Sequence, residues 1–352
     1  MSTSRSQTNQ LTGSGAIAEL ERKLREHYSM RHALCVSNGT TGLLAIALAL
    51  GLRGSEFITT PITYGGTLSG WLLLGNRPVF ADVEADTLVL DPGSVRRRLT
   101  QRTRALLAVD IFGVPCDAAA LRRIADEYGI WYIADAAQSF GARRDGRPAS
   151  AAADALVVSF TNGKCLDAGE GGAVLTNRSD LYDKLVWWTQ HPHRQHRDLG
   201  LTVENEFALN GRIHPSAAIR ANASFTGSLK HLRVRQRQYF KALQSINRSG
   251  FTEPVDLQRR NIEPAFFRLT AAWKHTPQPD MLQAHLRQDG FATELLPGPV
   301  RLVYDQAAFV AHYGKRATPG CPVAEGQAGR RFAVRFRQRR RCLVKGGKIM
   351  GA

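Results

Sequence analysis

The chain of 352 residues is 43% hydrophobic and 22% charged, with a formal net charge of +17. These proportions describe an ordinary soluble globular protein, long enough for a large core and two lobes. They argue against a membrane span, because the longest apolar run, Leu43 to Leu50, is far too short, and five scattered cysteines without a C-x-x-C pair suggest neither a disulfide framework nor a zinc site.

The first 15 residues are polar and read as a flexible arm; with no signal peptide visible, a cytoplasmic protein is expected. Ala16 to Tyr28 has the apolar spacing of a helix, with Ile17, Leu20 and Leu24 on one side. Ala33 to Val36 is a short strand. It runs through Ser37-Asn38-Gly39-Thr40-Thr41 into an apolar helix over Gly42 to Leu52. A strand, a small-residue turn and a helix start put backbone N–H groups and a positive dipole end at one spot, which suits a phosphate, although an ordinary helix cap reads the same way.

Strands are expected over Phe57–Thr60, Val79–Val83, Ala105–Phe112, Trp131–Ala134, Ala155–Phe160 and Ala173–Thr176, with helices between them, notably Ala118–Tyr128. Most of these strands are apolar on both faces, which predicts an α/β fold with a mainly parallel central sheet flanked by helices. Ligands in such sheets gather at the carboxyl ends of strands. The Ser37 turn, the Pro61 to Gly66 turn, Asp135 and Ser159 all fall there.

Beyond Thr176 a helix is expected over Leu181–Trp188. A polar loop with three histidines then spans Gln190–Asp198, a second polar loop Glu204–Pro215, and a long basic helix Ser216–Phe240. The histidines lack the i, i+4 spacing of a helical metal site, and no metal is assigned. Prolines from Pro254 to Pro299 mark a smaller α+β lobe. Nine Lys and Arg residues and no acid follow Glu325, so 326–352 reads as a separate basic tail. The expected domains are therefore an arm over 1–15, a large domain over 16–245, a small lobe over 246–325 and the tail.

Lys164 stands alone between two buried strand runs, just before the turn Gly169-Glu170-Gly171-Gly172. A lysine attacks an aldehyde only as a neutral amine, and burial with neighbouring charge lowers its pKa enough for that. Pyridoxal 5'-phosphate (PLP) uses such a lysine together with a carboxylate at its ring nitrogen, a phosphate cup and a flat group on the ring. A candidate for each lies at a strand end.

The motif Ser159-Phe160-x-x-x-Lys164 with the following glycine turn resembles the lysine motif of the DegT–StrS family of PLP-dependent sugar aminotransferases, which are fold-type I enzymes. The resemblance also covers Ser37-x-Gly39-Thr40, Pro61-x-Thr63-Tyr64, Val79-Phe80-x-Asp82-Val83, Asp135-Ala136-Ala137-Gln138 and Asn210-x-Arg212, over roughly residues 12 to 300. It implies that Lys164 carries the cofactor and shuttles the proton, and that Asp135 pairs with the ring nitrogen. Gln138 would bond the phenolic oxygen and Tyr64 would lie on the ring face. Gly39, Thr40 and Ser159 would hold the phosphate, and Asn210 would reach the partner's phosphate in a homodimer with shared active sites. The implied reaction moves an amino group from glutamate or glutamine to a keto-sugar, commonly nucleotide-linked, or to a keto-cyclitol. An alternative is a non-catalytic PLP-fold binding protein. Nucleic acid is not assigned as a partner, because no recognition fold accompanies the basic tail.

Two features depart from the family pattern. Gly211 stands where the family usually has an aromatic, which predicts a looser loop around Asn210 and Arg212. The stretch after Glu325 lacks the family's apolar segment and closing helix, which predicts an under-packed small lobe. Arg194 and Arg197 are candidates to meet a phosphate or carboxylate of the substrate.

Overall fold

The computed structural model describes residues 11–202, 205, 207–314 and 320–336. In chain order the large lobe holds α1 (Ala16–Tyr28), β1 (His32–Val36), α2 (Gly39–Ala49), β2 (Glu56–Thr59), α3 (Gly65–Leu73), β3 (Arg77–Phe80), α4 (Pro92–Arg98), β4 (Thr103–Val109), α5 (Ala118–Tyr128) and β5 (Trp131–Asp135). A small hairpin, β6 (Arg143–Arg144) and β7 (Arg147–Pro148), precedes β8 (Ala155–Ser159), β9 (Gly172–Thr176), α6 (Ser179–Thr189) and α7 (Pro192–Leu199). The long α8 (Pro215–Arg248) leads to β10 (Ile262–Glu263), β11 (Leu269–Ala272), α9 (Pro279–Gln288), β12 (Thr293–Pro297), α10 (Ala307–Tyr313), α11 (Pro322–Ala328) and β13 (Arg331–Phe336).

Seven strands form the central sheet in the order β1-β9-β8-β5-β4-β2-β3. The pairs β2–β3, β2–β4, β4–β5 and β5–β8 are parallel. β9 runs against both β8 and β1, so every other strand of the sheet points the same way. Every residue of β8 and β9 is buried. That explains their unbroken apolar sequences, since a sheet covered on both faces has no wet side to alternate with.

α2 is apolar all round because it lies inside the molecule. Trp71 of α3 is fully buried and its indole N–H donates to the Leu43 carbonyl at 2.9 Å. A Cβ at Gly70 would stand 2.7 Å from Leu44 Cβ, so a glycine there lets α3 lie close on α2.

One expected loop and one expected helix end are ordered differently. Residues 192–199 form α7, with Pro192 at its first turn, the His191 ring accepting from the His193 N–H, and Gly200 in the left-handed conformation at its end. The helix is polar along its length, so it offered no apolar period to read. α8 extends to Arg248 because Ala242, Leu243 and Ile246 continue its buried stripe past Phe240.

The expected tail is corrected over residues 326–336; residues 337–352 lie outside the described residues. β13 is the central strand of a three-stranded antiparallel sheet, between β11 and β12. Phe332 and Val334 are buried, and Phe332 packs on Trp273 at 4.4 Å between ring centroids. Among the described residues, the arginines of this stretch have partners. The buried Arg331 donates to the Ala85 and Asp86 carbonyls, to Gln327 Oε1 and to Thr270 Oγ1. Arg330 pairs with Glu253 at 2.9 Å and Arg335 with Glu294 at 3.5 Å.

Asp82 fixes the small lobe to the large one. Its carboxylate accepts the N–H groups of Val323 and Ala324, both at 2.9 Å. It therefore caps α11 from another part of the chain and places a negative charge at the positive end of that helix. The Val303 N–H donates to the Pro61 carbonyl at 2.8 Å, beside the turn that carries Tyr64. Among the described residues no helix is long and apolar enough to cross a membrane.

Candidate active site

The carboxyl ends of β1, β2, β5 and β8 deliver their turns to one side of the sheet. β5 ends at Asp135, which is buried, with 6% of its surface exposed. Its Oδ2 accepts the Thr67 hydroxyl at 2.7 Å and its Oδ1 accepts the Ala137 N–H at 3.0 Å. Thr67 is bonded in turn to Thr63, one helical turn earlier, at 2.7 Å. Burial pushes the Asp135 carboxyl above its ordinary value, while the Thr67 and Ala137 donors and the charge of Lys164 pull it back.

Lys164 lies in the loop between β8 and β9, half-buried, with its Nζ 4.6 Å from the centroid of the Phe267 ring. Burial holds its amine below the ordinary lysine value; Asp135 acts in the opposite direction, and the Arg268 charge lowers it further. The loop is held by Asp167, whose carboxylate accepts the Gly163 N–H at 2.8 Å and the Gly169 N–H at 2.9 Å. Gly169 and Gly171 take positive φ angles of 85° and 128° that side chains rarely adopt.

The turn after β1 completes one wall. The Asn38 side chain caps α2 by accepting the Thr41 N–H at 2.8 Å. Asn38 also forms a parallel bridge with Gly171. A Cβ on Gly172 would stand 2.9 Å from both Asn38 C and Gly39 N, and one on Gly39 would stand 3.7 Å from Ser159 Cβ. The start of α2, the end of β8 and the glycine turn are therefore in backbone contact. A Cβ on Gly66 would stand 2.7 Å from Tyr64 Cε1 and 2.8 Å from Thr40 Oγ1, so Tyr64 and Thr40 meet across this glycine. The Tyr64 ring is 76% exposed and free to cover a flat ligand. Gln138 is oriented by the Phe112 N–H, which donates to its Oε1 at 2.7 Å and leaves the amide N–H2 as its outward donor.

The structure thus gathers Gly39, Thr40, Ser159 and Tyr64 around the α2 start, and links Asp135 with Lys164 electrostatically. Asn210 is not part of this cluster within one chain. It has a positive φ of 56° and lines a separate hollow of about 400 Å³ with Gln190, His191, His193 and Arg212.

The loop around Gly211 is tight rather than loose. The Gly211 carbonyl accepts the Ser37 N–H at 2.7 Å, and a Cβ there would lie 2.7 Å from Thr41 Cγ2. Arg194 is spent on internal ion pairs, whereas Arg197 is exposed and has a local one. Arg194 is 1% exposed, holds Glu21 at 2.9 Å and Asp198 at 3.0 Å, and Arg197 pairs with Asp198 at 2.6 Å.

Four contributors escaped the sequence reading. Thr67 is signalled by its i, i+4 spacing from Thr63, and Asp167 by its place two residues before Gly169. Phe267 and Gly113 carry no local signal, because a segment some hundred residues beyond Lys164 must fold back to bring them in.

These features define a class: a doubly covered, mainly parallel α/β sheet with a partly buried lysine and a buried carboxylate at its strand ends. The chain belongs to the DegT/DnrJ/EryC1/StrS aminotransferase family, whose model matches residues 3–336. It is 34% identical over 171 residues to the GDP-perosamine synthase of Vibrio cholerae, covering 48% of this chain and 47% of that protein. It is 37% identical over 167 residues to the UDP-2-acetamido-2-deoxy-3-oxo-D-glucuronate aminotransferase of Pseudomonas aeruginosa, covering 47% and 46%. The matched part spans about half the length of these curated relatives. The solved structure of S. venezuelae DesV superposes with a TM-score of 0.74 at 27% identity, over 92% of this chain and 84% of that one.

Proposed function

We propose that the protein is a PLP-dependent aminotransferase that moves an amino group from glutamate or glutamine to a keto-sugar, most simply a nucleotide-linked one. The observation that carries this reading is the pairing of a half-buried Lys164, its amine held below the ordinary value, with the buried Asp135. Family membership and relatives named for GDP- and UDP-sugars support the substrate class.

The residues present fit the cofactor. A side chain at Gly172 would crowd the α2 start, where N–H groups and the helix dipole favour a phosphate, and the Thr40 and Ser159 hydroxyls adjoin that spot. When bound, PLP supplies an aldehyde for the amine and a ring that accepts electrons. Asp135 would hold the proton at the ring nitrogen, and Thr67 and Ala137 fix the direction of its carboxylate. Gln138 would donate to the phenolic oxygen through its outward amide. Tyr64 would cover the ring and exclude water. Lys164 would take a proton from the substrate carbon and deliver it to the cofactor's aldehyde carbon. Asn210 would serve the site of a second copy, which makes the working unit a homodimer.

The visible spectrum tests this. Wild-type protein loaded with PLP is expected to show a cofactor band that L-glutamate bleaches. Lys164→Ala is expected to show neither that band nor the response. A mutant indistinguishable from wild type in both respects removes Lys164 from the mechanism. A wild type that binds PLP yet ignores every amino donor supports instead the non-catalytic binding protein.

A further inference from the structure

The Phe267 ring is shared by two cations: Lys164 Nζ lies 4.6 Å from its centroid and the Arg268 guanidinium carbon 6.0 Å. Arg268 is exposed, and among the described residues no carboxylate pairs with it.

The backbone of Arg268 is nevertheless fixed. Its N–H donates to the Phe112 carbonyl at 3.2 Å, and the Ala265 N–H donates to the Gly113 carbonyl at 2.8 Å. Gly113 has a positive φ of 84°, and a Cβ there would stand 2.8 Å from Phe267 N, so the two segments are in backbone contact. The same turn orients Gln138 through Phe112. The guanidinium is thus carried by backbone clamped to the site wall.

We infer that Arg268 binds the carboxylate of the amino donor while its amine is presented at Lys164. An exposed guanidinium without a carboxylate partner suits a planar carboxylate, which it can grip through two parallel hydrogen bonds. The carboxylate is attached to the very carbon whose amine must reach the lysine, so its receptor has to stand close to Nζ. The ring shared by the two cations meets that requirement. A phosphate of a nucleotide-linked sugar lies several bonds further from the reacting carbon and needs a more distant receptor. The Phe267 ring lies at the edge of cation–π range of the guanidinium.

This assignment rests on the reading of Lys164 given above, and the test separates the two. PLP-loaded wild type, Arg268→Gln and Arg268→Lys are titrated with L-glutamate by the cofactor band, and with glutarate and UDP by calorimetry. In Arg268→Gln the half-saturating L-glutamate concentration is expected to rise about ten- to hundredfold, the loss typical of a charge-assisted bidentate contact. Glutarate is expected to weaken by a similar factor, UDP to bind unchanged, and Arg268→Lys to fall between, because it keeps the charge without the fork. Unchanged glutarate and L-glutamate titrations overturn the assignment, and so does a loss confined to UDP. If wild type gives no spectral response to L-glutamate, the aminotransferase reading fails, while the glutarate titration still decides the role of Arg268.

Discussion

Asp135 is buried, yet it keeps two donors, and this is what a carboxylate needs if it is to stay ionised away from water. Replacing Thr67 with Val removes a buried hydroxyl donor to a charged group while leaving the shape. Half-reaction rates with L-glutamate are expected to fall about tenfold or more, and Thr67→Ser is expected to restore them. A Thr67→Val enzyme as fast as wild type would show that the Ala137 N–H alone holds the carboxylate. His27 makes a different residue-scale prediction. Its ring is packed between Phe140 at 5.0 Å and Tyr28 at 4.9 Å, and burial, with the Arg143 charge, lowers its pKa to about 4. The unfolded chain therefore binds this proton more readily than the folded one between about pH 6.5 and about pH 4. Stability is expected to fall as pH drops through that window, by about 3 kcal/mol at most. Denaturant melts of His27→Phe should show a shallower decline than wild type.

At the scale of elements, the contact of the glycine turn with the start of α2 shapes the proposed phosphate site. Gly172→Ala places a methyl 2.8 Å from the Val158 carbonyl oxygen and 2.9 Å from Gly39 N, with backbone on both sides. It is expected to destabilise the fold by about 1–3 kcal/mol and to weaken PLP binding, measured by chemical unfolding and by cofactor titration. Sequence periodicity was enough to place α1 and α5, because both are amphipathic and bounded by clear stops. It also placed the buried strands, whose apolar runs fit a covered parallel sheet. Sequence placed Asp135 and Ser159 at strand ends and Lys164 in the loop beyond β8, and they stand there; the roles given to them and to Gln138 are those proposed above. The site was not legible where the small lobe contributes, since nothing around Phe267 or Arg268 announces that their backbone pairs with Phe112 and Gly113. α7 and β13 were misread for a common reason. Their charged side chains are spent on buried or local partners, and a charge run in sequence looks the same whether it faces water or a carbonyl.

For the whole molecule, the small lobe is fastened by Asp82 at the start of α11 and by Arg331 on the Ala85–Asp86 carbonyls. Arg331→Leu removes a buried guanidinium that bonds the Ala85 and Asp86 carbonyls, Gln327 and Thr270, and is expected to destabilise the protein by about 2–4 kcal/mol. Limited proteolysis is expected to spare residues 322–336 in wild type and to cut there in the mutant; cleavage of wild type in β13 would show that this strand is not held. The lobe in turn presents Phe267 and Arg268 to Lys164, so its docking and the state of the lysine are one matter. The measurement that bears most directly on this account is borohydride reduction of the PLP-loaded protein followed by peptide mapping. The reduced cofactor is expected on Lys164 alone; its recovery on another side chain, or on none, would contradict the account.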